Sequence, residues 1–129
     1  MSSNRDAVAF FYEALATGDA ASALGAMAED IIWIGMEGWP YRAVGRGRTA
    51  VAEGILAPMM ADWEDVTVIA ASIIDAGDVV VATGHYGGVH RTTRKTLDAA
   101  FAHLWTVSDG ALASFRQYTD TLIVDRAMR

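Results

Sequence analysis

Apolar positions near the start of the chain recur every three or four residues. Val8, Phe11, Tyr12 and Leu15 fall on one stripe, which predicts an amphipathic helix. Ser3 and Asp6 suit its start, the hydroxyl as a cap and the carboxylate in the first turn. Thr17-Gly18-Asp19 ends it, and Asp19 can cap a second helix over about residues 20–28 with Ala23, Leu24 and Met27 inward. Glu29 and Asp30 break that pattern. Residues 31–34, Ile-Ile-Trp-Ile, read as a short strand buried on both faces.

Residues 35–47 hold four glycines and Pro40, which forbid a regular element, yet Trp39 and Tyr41 are too apolar for a purely solvated loop. The stretch reads as a flap. A third helix follows over about residues 49–60, with Val51, Ile55 and Met59 inward.

From Trp63 onward the period changes to two. Residues 64–75 and 79–90 alternate around the turn Ala76-Gly77-Asp78, and Gly84, Gly87 and Gly88 mark bends of a curved sheet. Arg91 to Lys95 form a polar turn. Residues 96–107 and 111–120 make a last pair joined at Ser108-Asp109-Gly110, a strong hairpin signal because Asp-Gly tolerates positive φ. Residues 121–129 are a tail or short helix. The order ααβαββββ predicts one α+β domain over residues 1–129: a curved antiparallel sheet wrapped around the N-terminal helices, forming a cone open at one end.

Composition narrows the class. The chain has 129 residues, enough for one sizeable core. Hydrophobic residues reach 53% against 20% charged, so a second copy is expected to cover part of the surface. Ala100, Ala102 and Leu104 put small apolar groups on the outer face of the sheet, which predicts a homodimer there. A net charge of −6 argues against nucleic-acid binding. There is no cysteine, hence no disulfide or thiolate metal site. No run approaches the ~18 apolar residues of a membrane span, and the first residues lack an apolar signal core. A cytoplasmic protein without membrane association is the expectation.

The last hairpin concentrates the candidate chemistry. Phe101, His103 and Trp105 share one face; on the next strand Arg116, Tyr118 and Asp120 share another. A bulge would bring Phe115, Gln117 and Thr119 inward instead. His103 reads as a packed core histidine or a proton carrier. Asp120 reads as a proton carrier, as a cap of the last segment or as a partner of Arg116. Phe11, Trp33, Met36, Trp39 and Tyr86 are core or flap residues that would also wall an apolar ligand. His85, His90 and His103 lack metal-ligand spacing. Arg42, Arg46 and Arg48 among glycines lack the lysine and hydroxyl of a phosphate loop and read as solvated. Neither metal nor cofactor is expected.

These residues in this order resemble the NTF2-like superfamily, with its ketosteroid isomerases, limonene epoxide hydrolases and SnoaL-like polyketide cyclases. The resemblance rests on residues 12–19, 27–30, Gly45 with Gly47-Arg48, and Asp109-Gly110 followed by Phe115-Arg116-Gln117-Tyr118-Thr119-Asp120. It implies the NTF2-like cone and dimerisation through the sheet. It also implies a catalytic Asp120, from the limonene epoxide hydrolase ending and the late acid/base Asp of the cyclases. The Arg-x-Asp pair of those hydrolases is missing, since residues 83–88 contain Gly84-His85-Tyr86. Of the steroid isomerase groups, the base falls on Gly35, the tyrosine near Phe11 and the protonated carboxyl on His103.

Two functions follow as expectations. The first is a cofactor-free acid/base enzyme of isomerase, cyclase or lyase type acting on a small apolar, polyketide- or terpenoid-like molecule, with Asp120 and His103 catalytic. Phe11, Trp33, Met36, Trp39, Tyr86, Phe101, Trp105, Arg116 and Tyr118 would surround the substrate. The second is a module of the same fold that holds a ligand or a partner without turnover. In the enzyme, His103 and Asp120 are expected to form a coupled ion pair.

Overall fold

A computed structural model describes residues 3–41 and 44–129; Arg42 lies outside them. Helix α1, Asn4–Ala16, begins with a reciprocal cap: Asp6 N–H donates to Ser3 Oγ at 3.1 Å, and Ser3 N–H donates to Asp6 Oδ2 at 3.2 Å. It buries Val8, Phe11, Tyr12 and Ala14. Helix α2 covers Ala20–Gly25 and is capped by Asp19.

The sheet has six strands: β1 Met27–Ile34, β2 Val44–Arg46, β3 Trp63–Asp75, β4 Val80–His90, β5 Thr96–Ser108 and β6 Ala111–Thr119. Their spatial order is β2-β1-β6-β5-β4-β3. The curved, unclosed sheet and the N-terminal helices form the expected α+β cone.

Four details differ from the sequence reading. Strand β1 starts at Met27, shortening α2, and its Ile32 is exposed beside buried Ile31 and Trp33, so only one face is covered. Strand β2 pairs with β1 inside the stretch read as irregular. Strand β1 runs parallel to β6, so the sheet is mixed. The third helical region is α3, Arg48–Val51, and α4, Ala57–Asp62, joined through a π-helical turn at Ala52–Leu56. The last segment is a helix, α5, Thr121–Ala127.

Two irregularities shape the site. Asp109 and Gly110 both take positive φ, 50° and 79°, which gives the expected tight hairpin between β5 and β6. Just beyond it, Thr106 pairs with Ser114 but Val107 pairs with Leu112, so Ala113 is an extra residue. That bulge turns the rest of β6 over: Phe115 and Gln117 point into the cone, while Arg116 and Tyr118 point out. In β3, Ala71 is likewise extra, because Ala70 faces Gly84 and Ser72 faces Thr83. A Cβ on Gly84 would overlap the Ile69 carbonyl oxygen, so the bend there requires glycine.

The core lies between α1, the π-containing helix and the concave face of the sheet. Aromatic rings dominate it: Trp33 stacks on Phe115 with centroids 3.7 Å apart, and Phe11 packs on Trp105 at 4.8 Å. No helix among the described residues is long and apolar enough to cross a membrane.

Candidate functional site

Inside the cone is a cavity of about 30 Å³. Phe11 and Leu15 of α1, Trp33 of β1, Trp39, Ile55, Leu56, Met59 and Val68 form its apolar wall, with Phe115 from β6. Three polar groups interrupt that wall: Tyr86 from β4, His103 from β5 and Gln117 from β6. The volume holds a water or two, so a larger guest must displace side chains. A wider groove of about 230 Å³ lies between α1, α4 and β3 and shares Leu15, Leu56, Met59 and Val68 with the cavity.

The polar groups belong to one buried network. Trp105 Nε1–H donates to the Tyr12 hydroxyl oxygen at 2.9 Å, and that hydroxyl lies 2.6 Å from His103 Nδ1. On the other side of the ring, His103 Nε2 is 2.8 Å from the Tyr86 hydroxyl and 3.1 Å from Gln117 Oε1. The Tyr86 hydroxyl also donates to Gln117 Oε1. The His103 ring lies flat on Phe101, with centroids 3.9 Å apart. Its orientation is therefore held by stacking as well as by hydrogen bonds.

Burial sets the ionisation. His103 is 2% exposed, and desolvation pushes its pKa down to about 3, against a smaller opposing effect of the Gln117 bond. The imidazole is neutral near pH 7. Burial also raises Tyr86 well above the ordinary phenol value, and Tyr12 is raised for the same reason, partly offset by the Trp105 bond. All three rings act as neutral hydrogen-bonding groups.

Next to the cavity, Trp63 Nε1–H donates to the Tyr41 hydroxyl at 2.8 Å, which donates to Asp62 Oδ2 at 3.0 Å. Tyr41 meets Trp39 edge to face, and Trp39 packs over Tyr86. The described part of the predicted flap is thereby tied to the end of α4, with Trp39 as its inner face.

Of the residues expected from sequence, Phe11, Trp33, Trp39, Tyr86 and His103 come together around the cavity. Phe101 and Trp105 are buried behind it and support the rings that line it. Met36 lies outside, where its Sδ accepts the Thr119 N–H at 3.3 Å. The inward phase expected for Arg116, Tyr118 and Asp120 is corrected by the Ala113 bulge. Arg116 is exposed, Tyr118 is 48% exposed on the outer face, and exposed Asp120 caps α5 by accepting Ile123 N–H at 3.1 Å. The expected His103–Asp120 ion pair is absent among the described residues.

Gln117 and Phe115, the alternative phase of β6, take the inward places instead. Tyr12 was legible only as a core residue of α1. Its signal is a phenol on an apolar helix face, whose buried hydroxyl must find a partner. The described residues contain no cluster of three His, Cys, Asp or Glu placed to hold a metal ion.

A family model described as a SnoaL-like domain matches residues 8–115. An NTF2-like protein from Burkholderia thailandensis E264 is 32% identical, with a TM-score of 0.95 over 100% of this chain and 99% of that one. TerC, co-crystallized with polyporic acid, is 23% identical with a TM-score of 0.87, covering 98% of each chain. A candidate SnoaL-like polyketide cyclase from Jannaschia sp. CCS1 is 19% identical with a TM-score of 0.80, covering 95% of this chain and 89% of that one. The last two likenesses show the fold alone. No curated protein matches the sequence.

Proposed function

The chain belongs to the SnoaL-like domain family of the NTF2-like superfamily, and from that premise we propose that its internal cavity takes up a small, uncharged, largely apolar molecule and activates it by hydrogen bonding. The observation that carries this reading is the composition of the wall: aromatic and aliphatic side chains around a single polar spot made of Tyr86, His103 and Gln117. Such a wall rewards burial of apolar surface and fixes orientation at one point. Charged guests are disfavoured, because none of the described lining residues is charged at neutral pH. The small-molecule ligand of TerC fits the same general use of the fold.

The chemistry that suits this spot is polarisation by neutral donors in a water-poor site. Donors held in place by a network need no reorganisation as charge develops on a substrate oxygen. An isomerase- or cyclase-type reaction without a cofactor is the activity proposed, with His103 as a neutral member of the network that holds the donor in place rather than as a charged proton carrier. The second reading, a module that holds its ligand unchanged, is favoured by one observation: no carboxylate lines the described cavity to serve as a base.

The test pairs binding with turnover. Bicyclic ketones and the matching hydrocarbons are titrated against the protein while tryptophan fluorescence is followed, because Trp33 and Trp39 line the cavity. Bound ketones are then incubated and analysed for isomerised or cyclised product. Saturable binding supports the chamber, product formation supports the enzyme, and unchanged bound ketone selects the holding module. Absence of saturable binding contradicts both readings.

A further inference from the structure

The network behind the cavity has a direction, and we propose that this direction makes the cavity select hydrogen-bond acceptors, such as ketones or quinones, over donors of the same shape. The inference rests on the reading of the cavity as a small-molecule chamber.

The direction follows from which groups can donate. An indole N–H is a donor only, so Trp105 occupies one side of the Tyr12 oxygen with its hydrogen. The hydroxyl hydrogen of Tyr12 is left one acceptor within reach among the described residues, His103 Nδ1 at 2.6 Å. A neutral imidazole that accepts at Nδ1 carries its proton on Nε2. That Nε2–H points at the Tyr86 oxygen and at Gln117 Oε1. The Tyr86 hydrogen then goes to Gln117 Oε1 as well. Reversing the order would leave the buried Tyr12 hydrogen without an acceptor, at the full cost of desolvating it.

The consequence appears at the end of the chain of bonds. Both acceptor positions of Gln117 Oε1 are filled from within the protein, which fixes which way the amide faces. No described hydrogen bond uses Gln117 Nε2, although Gln117 is only 3% exposed. Among the described residues every side-chain nitrogen or oxygen that is fully closed off has a partner, so Gln117 Nε2 borders open space. The cavity is the open space that Gln117 lines. The amide nitrogen therefore offers an N–H donor to a guest, and Tyr12, Trp105 and His103 act as positioning residues that keep the carbonyl end turned away.

The test uses three probes of nearly equal size: 1-indanone, which only accepts, indane, which does neither, and indole, which only donates. The full-length protein should bind 1-indanone about tenfold more tightly than indane, the scale of one net hydrogen bond, and indole no better than indane. Gln117→Met should abolish the preference for 1-indanone over indane. Nitrogen-15 NMR of labelled His103 should show the proton on Nε2. Tyr12→Phe, which removes the donor to Nδ1, should move the proton partly to Nδ1 and reduce the preference for 1-indanone.

A proton found on Nδ1 in the unaltered protein overturns the inference, as does equal binding of 1-indanone and indane, a preference for indole, or a ketone preference that survives Gln117→Met. Equal binding of all three probes leaves the chamber reading standing while removing this one. Failure of every probe to bind removes both.

Discussion

The hydroxyl of Tyr12 lies 2.6 Å from Nδ1 of His103, joining α1 to the middle of β5 across 91 positions of sequence. That contact holds an imidazole whose pKa is pushed down to about 3 by burial. In the unfolded chain the same group titrates near 6.5. Between these values the unfolded state binds a proton that the folded state refuses, so this contribution to stability is full above about pH 6.5 and is lost as pH falls toward 3. The expected slope is about 1.4 kcal/mol per pH unit inside that window. Urea denaturation of the unaltered protein and His103→Gln at pH 7, 6 and 5 checks it: the gap between the two should change along that slope. Parallel pH profiles would contradict a buried neutral His103.

Asp120 should behave as a helix cap. Its carboxylate accepts the Ile123 N–H at 3.1 Å and faces solvent. Asp120→Ala should cost about 1 kcal/mol of stability, Asp120→Asn much less, and neither should alter binding of a cavity probe. Loss of probe binding or turnover in Asp120→Asn with stability intact would restore the carboxylate to the site.

Gly84→Ala tests the bend of the sheet. The added Cβ would overlap the Ile69 carbonyl oxygen at the bulge between β3 and β4. A cost of about 2 kcal/mol or more is expected, read as a lower midpoint in urea denaturation, because backbone must move to make room. An unchanged midpoint would mean that the strands separate there without penalty.

The outer face of the sheet supports the expectation of a homodimer as a proposal. Ile74, Val81, Leu104 and Arg116 form one cross-strand row, and Ser72, Thr83, Ala102 and Tyr118 form the next. Ile69, Ile74 and Tyr118 expose large apolar groups there. Light scattering should give twice the chain mass at micromolar concentration, and Leu104→Glu should shift it toward one. A monomer in the unaltered protein would contradict the dimer.

Most of the architecture was legible because it depends on periodicity and turn chemistry. The stripe of Val8, Phe11 and Tyr12, the Ser3–Asp6 cap and the Asp109-Gly110 turn are local signals, and each is present in the fold. The parallel pairing of β1 with β6 joins distant segments and leaves no local mark. Three-residue β2 is too short for a period to show.

The site was less legible, for one physical reason. Ala111, Ala113 and Ser114 flank Leu112, and side chains so small give no preference for either face. The Ala113 bulge hidden among them decides whether Gln117 or Asp120 belongs to the cavity side. His103 could be placed on the buried face because Phe101 and Trp105 at alternate positions fixed its phase, whereas Tyr86 has only Gly84 and Gly88 at the corresponding positions.

The most direct test of the account is an amide and methyl NMR titration of the full-length protein with 1-indanone. The cavity account predicts saturable shifts clustered on Leu15, Ile55, Val68, Tyr86 and Gln117, with little change at Val81 and Leu104 on the outer face. Shifts confined to the outer face, or none that saturate, would contradict the claim that the interior of the cone is where this protein meets its ligand.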